Sequence, residues 1–465
     1  MSRVKGHKAP LAVVGGAIAL RLAIGIGFAN YDTLYSLVWG QQLGRGQNPA
    51  YHVPLAPTPH PLLELIGLVL SPLGAAATLT VVVALAYLSL AWLGYLVYLL
   101  GARWFSWPVG LAAAAFVLSR YEVLSFGVRA YADIPYVALV LAALALETRR
   151  PRAGWPVIAL LDLAGLLRPE AWLFAGVYWL YLWRWASPRE RAALAVLVAL
   201  PPVLWALSDL AVTGRPLWSL TNTRNTARQL QRATGILNVP YYGARRIGEV
   251  LGPDGLVVGA LGGLMSLWLA RSRALLGAAT GVVAVVAFAI LGAAGLPIQD
   301  RYVFLIAAIL CVFAGAGLAG WRTLSPRRPW LATGALSAIA VLAGVAWSVP
   351  RFYRTFDGTK PADQALSAQQ RIADDLVALV THHAICTPIS VPYASPQPLL
   401  ALYLHTSPAN ILVGTRGTRT YLAPAGRAVF TEYQLDSRDP VRTGGVPAGL
   451  RLIASNRSWR IYSRC

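Results

Sequence analysis

This chain is short of charge. Asp, Glu, Lys and Arg make up 13% of its 465 residues, against roughly 25% in a soluble domain, which excludes an ordinary soluble globular protein. Acid is scarcer still, 19 Asp and Glu beside 40 Lys and Arg. The resulting charge of +21 is spread through short Arg-rich turns rather than gathered on one stretch. That distribution fits topology signals and lipid headgroups better than a nucleic-acid footprint. No Gly-rich phosphate loop occurs, so nothing marks a soluble nucleotide-binding unit. Internal repeats are also missing, and with them the pattern expected of a transporter built from inverted halves.

What remains is apolar: 57% of the residues are hydrophobic. Runs of roughly 17–25 such residues can cross a bilayer. They fall near 9–29, 76–101, 107–126, 132–147, 155–170, 171–186, 192–213, 254–270, 274–296, 302–320 and 330–349. The run 61–75 is interrupted by Pro72 and reads as a short helix along the surface. Arg3, Lys5 and Lys8 precede the first run, which is long enough to span and is read as retained, with the N-terminus cytoplasmic. The turns then expected inside carry Arg103, Arg149, Arg150, Arg152, Arg184, Arg189, Arg191, Arg271, Arg273, Arg322, Arg327 and Arg328. The outer loop 214–253 is basic too, through Arg215, Arg224, Arg228, Arg232, Arg245 and Arg246. Long loops cross regardless of charge, and a headgroup-level surface for an anionic lipid is the functional alternative.

The expected architecture is therefore an α-helical polytopic membrane part of about eleven spans, residues 1–350, followed by an extracytoplasmic α/β domain, residues 351–465. In the tail a helix is predicted over 362–381 and another over Pro398–Leu404. Strands are predicted at Ile389–Val391, Ala409–Val413, Arg427–Phe430 and Leu450–Ala454. Cys311 lies inside a span and reads as inert core. Cys386 and Cys465 share the outer tail, where an oxidising compartment would pair them. Asn456-Arg457-Ser458 spells a glycosylation sequon and reads as a chance match.

Polar residues gather at span ends, where ionisable groups are costly. Asp32 follows the first span, Asp133 opens the fourth, Arg168-Pro169-Glu170 lies between the fifth and sixth, and Asp300-Arg301-Tyr302 opens the tenth. All fall on the expected outer side. Between the first and second spans runs a loop rich in proline and aromatics, with Gly46, Pro49, Tyr51 and His60-Pro61-Leu62. A loop of that length and composition reads as functional rather than disordered. Arg21, inside the first span, calls for an internal partner such as Asp162 or Asp209.

The first-loop Asp followed by G-x-x-P-x-Y and His-Pro-Leu, with Y-A-D-I-P-Y, L-L-R-P-E and D-R-Y further on, resembles the GT-C superfamily of polytopic glycosyltransferases, in particular its mannosyltransferase-like branches. The resemblance covers roughly residues 1–350. It implies an inverting transfer of a mannose-type or pentofuranose sugar from a polyprenyl-phosphate donor to an extracytoplasmic glycan, lipid or protein acceptor, at the cytoplasmic membrane and in envelope biosynthesis. Asp32 would be the catalytic base, and Arg301 the first choice to hold the donor phosphate, with Arg168 and Tyr302 beside it. Tyr51, His60, Asp133 and Glu170 would line the substrate. No cofactor is implied. The first loop has Asp32-Thr33 in place of an acidic pair, and His52 and His60 at H-x₇-H match no usual ligand spacing, both of which argue against a metal-dependent subtype.

Each residue has a plainer reading. Asp32 would cap a helix beginning at Thr33, and Asp133 would cap or orient its own helix. Arg168 would be clamped by Glu170 or Asp133, and Arg301 would snorkel at the interface. Trp39 and Tyr51 would either join the interfacial aromatic belt or stack on sugar faces. A transporter or flippase of lipid-linked sugars, and a non-catalytic scaffold, are the competing functions.

Overall fold

The structure, a computed structural model, describes residues 8–320, 362–383, 385–415, 417–434 and 445–465. The expected span 330–349 and the turns holding Arg3, Lys5, Arg322, Arg327 and Arg328 lie outside these residues. The helices run in chain order as α1 (Lys8–Ile24), α2 (Tyr31–Gly44), α3 (Pro61–Leu70), α4 (Ala75–Trp104), α5 (Trp107–Leu118), α6 (Tyr121–Val128), α7 (Asp133–Arg149), α8 (Trp155–Gly165) and α9 (Glu170–Leu182). They continue as α10 (Pro188–Thr213), α11 (Trp218–Gln229), α12 (Val239–Leu269), α13 (Arg271–Ala293) and α14 (Phe304–Ala319). Among the described residues five helical segments are long and apolar enough to cross a bilayer, and a sixth is added if α5 and α6 count as one span. The chain is a multi-pass membrane protein.

The predicted span 107–126 is broken. α5 and α6 meet at 67° around Ser119 and Arg120. Arg120 supplies the reason: its guanidinium donates to the Leu251 carbonyl at 2.6 Å, lies 3.7 Å from the Asp254 carboxylate and stacks 4.2 Å from the Phe116 ring. Leu251 and Asp254 flank the point where α12 is itself kinked, at Gly252 (φ 78°) and Pro253. One arginine thus serves both helix breaks. α12 also begins well before the apolar run at 254, so the basic stretch 214–253 is largely helical, as α11 and the first half of α12.

Arg21 pairs with neither Asp162 nor Asp209. Its guanidinium lies 5.8 Å from the Tyr87 ring centroid, a cation–π contact. Asp209 instead accepts from the Ser219 amide at 2.8 Å and the Ser219 hydroxyl at 2.7 Å, which anchors the start of α11. Cys311 is fully buried in α14.

The described residues form two compact units, one within Met1–Gly25, Ala84–Trp205 and Ala233–Thr359, the other within Ile26–Val83, Ala206–Arg232 and Lys360–Cys465. Residues 26–83, which the sequence assigns to the membrane part, thus fold in the same unit as the C-terminal tail.

That tail is an α/β domain with helices α15 (Ala362–Thr381), α16 (Gln397–Tyr403) and α17 (Arg427–Tyr433) on a five-stranded sheet. Strands β1 (Ile389–Val391), β2 (Ile411–Val413), β3 (Thr420–Pro424), β4 (Arg451–Ser455) and β5 (Trp459–Ser463) lie in the order β2-β1-β3-β5-β4. β1 is parallel to β2 and β3, and β5 antiparallel to β3 and β4. The strand predicted at Arg427–Phe430 is helix α17 instead. The three-residue spacing of Phe430 and Tyr433 puts both rings on one helix face, where they meet Tyr393 at 5.2 Å and Trp459 at 6.1 Å. Cys386 and Cys465 are bonded across 79 residues of chain, a closure worth on the order of 4 kcal/mol in the chain-entropy model. The sequon's Asn456 is occupied: its amide donates to the Asp375 carbonyl at 2.6 Å and accepts from the Ser458 and Trp459 amides at 3.1 and 2.9 Å.

Candidate active site

The first loop is packed through aromatics spaced to stack. Tyr31, Tyr35 and Trp39 recur every four residues, one face of α2, with ring centroids 4.9 and 5.2 Å apart. Tyr51 continues the ladder at 4.8 Å from Trp39. The chain reaches Tyr51 through a turn at Gly46, whose φ of +68° favours glycine. α2 crosses α3 at backbone contact: a Cβ on Gly40 would meet the Glu64 carbonyl at 2.4 Å, so only glycine fits. Trp39 and Tyr51 are 0% and 1% exposed, which leaves neither ring a free face. They pack as core of the first loop.

Asp32 sits half-buried in the first turn of α2. It does not cap that helix. Asn30 does, its side-chain oxygen accepting from the Asp32 amide at 2.8 Å and the Thr33 amide at 3.2 Å. Asp32 therefore lies in the first turn, at the positive end of a helix that another residue caps. His60 is buried at the start of α3, where its carbonyl accepts from the Glu64 amide at 3.0 Å.

A buried acid that sequence reading overlooked is Glu64, the single acid within the apolar stretch of α3. It is 4% exposed and accepts from the Tyr51 hydroxyl at 2.6 Å, tying α3 to the G-x-x-P-x-Y loop. Burial pushes its carboxyl up to about 7, with Asp209 adding to the shift and the Tyr51 bond opposing it. A folded value above the ordinary 4.5 means that the folded chain keeps a proton there that the unfolded chain releases. Stability therefore falls as pH rises from about 4.5 to about 7. Glu64→Gln keeps an acceptor for Tyr51 and cannot ionise. Thermal unfolding across that window is expected to show a declining Tm in the wild type and a flatter one in the variant.

The second group of residues lies in the other unit, at the ends of α7, α8, α9 and α14. Arg168, 3% exposed, follows α8. It donates to Asp133, the first residue of α7, and from both Nε and Nη2 to Glu170, the first residue of α9, at 3.1 and 2.9 Å. Both carboxylates open helices, where the macrodipole favours them. The Arg168 guanidinium stacks 4.4 Å from the Tyr302 ring centroid. Arg301 faces the same ring at 5.6 Å, with its Nε donating to Gln299 Oε1 at 2.9 Å. Unlike Arg168, Arg301 and Tyr302 are half-exposed. Asp133, Arg168, Glu170, Arg301 and Tyr302 thus form one cluster, and Asp32, Tyr51, His60 and Glu64 belong to the other unit. Among the described residues no three His, Cys, Asp or Glu side chains are grouped to hold a metal ion.

This assembly of apolar helices and a small C-terminal sheet domain is a fold found in other solved structures. The particular proteins that share it are distant in sequence. ArnT from Cupriavidus metallidurans, crystallised with undecaprenyl phosphate, superposes with a TM-score of 0.60 at 13% identity over 97% of either chain. The oligosaccharyltransferase of Archaeoglobus fulgidus in complex with zinc and sulfate superposes with a TM-score of 0.50 at 11% identity, over 89% of this chain and 67% of its own. Neither a protein-family model nor a curated protein sequence matches the chain.

Proposed function

We propose that the protein is an inverting glycosyltransferase that moves a sugar from a polyprenyl-phosphate donor to an acceptor outside the cytoplasmic membrane. The observation that carries this reading is the end-to-end likeness of fold, 97% of both chains, to a protein that binds undecaprenyl phosphate. The chain has no nucleotide-binding loop, which agrees with a lipid-linked donor. A mannose-type or pentofuranose sugar is the donor class, and a glycan, lipid or protein the acceptor.

In the proposed reaction an acceptor hydroxyl attacks the anomeric carbon, and its proton passes to the Asp32 carboxylate. The bond from that carbon to the phosphate oxygen breaks, and the electron pair leaves with the phosphate. Charge therefore grows on the leaving group, where a guanidinium stabilises it. Arg301 takes that role because it reaches the surface, whereas Arg168 spends its donors on two carboxylates. Arg168 is then a positioning residue, holding the Tyr302 ring that both arginines face. Glu64 and Tyr51 position the first loop in the same sense, with His60, Asp133 and Glu170 on the substrate side.

Arg301→Ala tests the phosphate contact. Loss of a charge-assisted bond costs about 1.5–3 kcal/mol, so kcat/KM for the lipid-linked donor is expected to fall roughly 10–100-fold. Membranes incubated with candidate polyprenyl-phosphate sugars, read for sugar released and product formed, supply the assay. If no donor is consumed, and lipid-linked sugars instead cross the bilayer unchanged, the reading gives way to a flippase.

A further inference from the structure

The C-terminal domain holds a cavity of about 590 Å³, far along the chain from the residues given catalytic or phosphate roles above. Its size falls within the ~300–1,000 Å³ of ligand sites. One wall is a face of α15, where Asp363, Ser367, Arg371 and Asp375 follow one another at four-residue spacing. The opposite wall runs from Ala425 along α17 to Glu432, and Arg457 in the β4–β5 turn completes the lining. The walls are fixed to each other. Ser458 in that turn donates to the Asp375 carboxylate, and the Trp459 indole donates to the Ile372 carbonyl of α15 at 2.9 Å. Arg371 and Arg457 are exposed, and among the described residues neither is neutralised by an ion pair.

The lining selects its ligand by chemistry. Three carboxylates only accept hydrogen bonds, and two guanidinium groups only donate. An anion would meet the carboxylates, a cation the arginines, and an apolar ligand would strip water from both. A hydroxyl both donates and accepts, so a ligand carrying many neutral hydroxyls satisfies both kinds of wall at once. We infer that this cavity is a binding site for a neutral glycan chain, separate from the catalytic site. The transferase reading bears on what the site is for, namely holding the acceptor glycan, and not on whether it binds one.

The test uses the full chain in lipid nanodiscs, with linear mannan and arabinan oligosaccharides as neutral probes and a heparin-derived oligosaccharide as the anionic one. Calorimetry is expected to show a neutral probe binding to the wild type. Arg371→Ala with Arg457→Ala should weaken that binding at least about tenfold, at unchanged Tm because both side chains are exposed. Transfer to a short soluble acceptor should be unaffected. Absence of binding by both neutral probes, tighter binding of heparin, or a double variant that binds like the wild type would each overturn the assignment. Glycan binding in a chain that consumes no lipid-linked donor would sink the transferase reading and leave this one standing.

Discussion

Asp32→Asn is expected to lower turnover by about 10²–10⁴-fold, the usual worth of a positioned general base, while donor affinity stays within a few-fold. The substitution nearly preserves shape and removes the ability to take a proton. The helix start should survive it, because Asn30 and not Asp32 caps α2, through bonds of 2.8 and 3.2 Å to backbone amides. An unchanged Tm beside collapsed turnover is therefore the expected pair of results. Single-turnover kinetics on a purified polyprenyl-phosphate sugar measures the first, and equilibrium binding of the same donor separates chemistry from affinity. A variant retaining more than about a tenth of wild-type turnover would remove Asp32 from the reaction. A non-catalytic scaffold would be indifferent to the change.

The largest expected loss of stability is at Arg168. Its guanidinium holds Asp133 and Glu170, which are 1% and 6% exposed. Removing one partner of a buried ionic cluster leaves charge uncompensated, typically at about 3–5 kcal/mol. Arg168→Ala should therefore lower Tm by several degrees and reduce the yield of folded protein. Arg168→Lys should rescue only part of this, since a single ammonium cannot span the two carboxylates as a planar fork does. The triple change Arg168→Met, Asp133→Asn, Glu170→Gln should recover much of the stability, because no charge is then left unpaired. It should not recover donor turnover if Arg168 also holds Tyr302 in place. A stable, fully active Arg168→Ala protein would show that the cluster has neither role.

The two predictions draw on residues that the sequence presents very differently. Asp32 stands out because it follows an apolar run directly and opens an unusual loop. Glu64 does not stand out, since one acid in P-L-L-E-L-I-G-L-V-L looks like a solvated residue on a surface helix. Only the packing of Tyr51 and Gly40 against it reveals a buried carboxyl. Arg168 is intermediate: the sequence offers Glu170 or Asp133 as its clamp, and the fold gives it both, the second from 35 residues away. Arg427–Phe430 misled for a related reason. Its short apolar run suits a strand or a helix, and the rings of Tyr393 and Trp459 favour the helix. The alternation in Trp459-Arg460-Ile461-Tyr462-Ser463 could have marked β5, since its buried and exposed residues follow it.

By itself the sequence determined that this is a multi-pass membrane protein with a mixed α/β tail, and which polar residues flank its apolar runs. Both depend on hydropathy summed over neighbouring residues, which no distant contact can reverse. Tertiary structure alone decided that Arg120 bridges two broken helices, that Arg21 rests on Tyr87, that Arg168 is shared between two carboxylates, and that the first loop folds in one unit with the C-terminal domain. Those outcomes rest on single hydrogen bonds and ring contacts between residues tens to hundreds of positions apart, and many pairings would have satisfied the same local pattern.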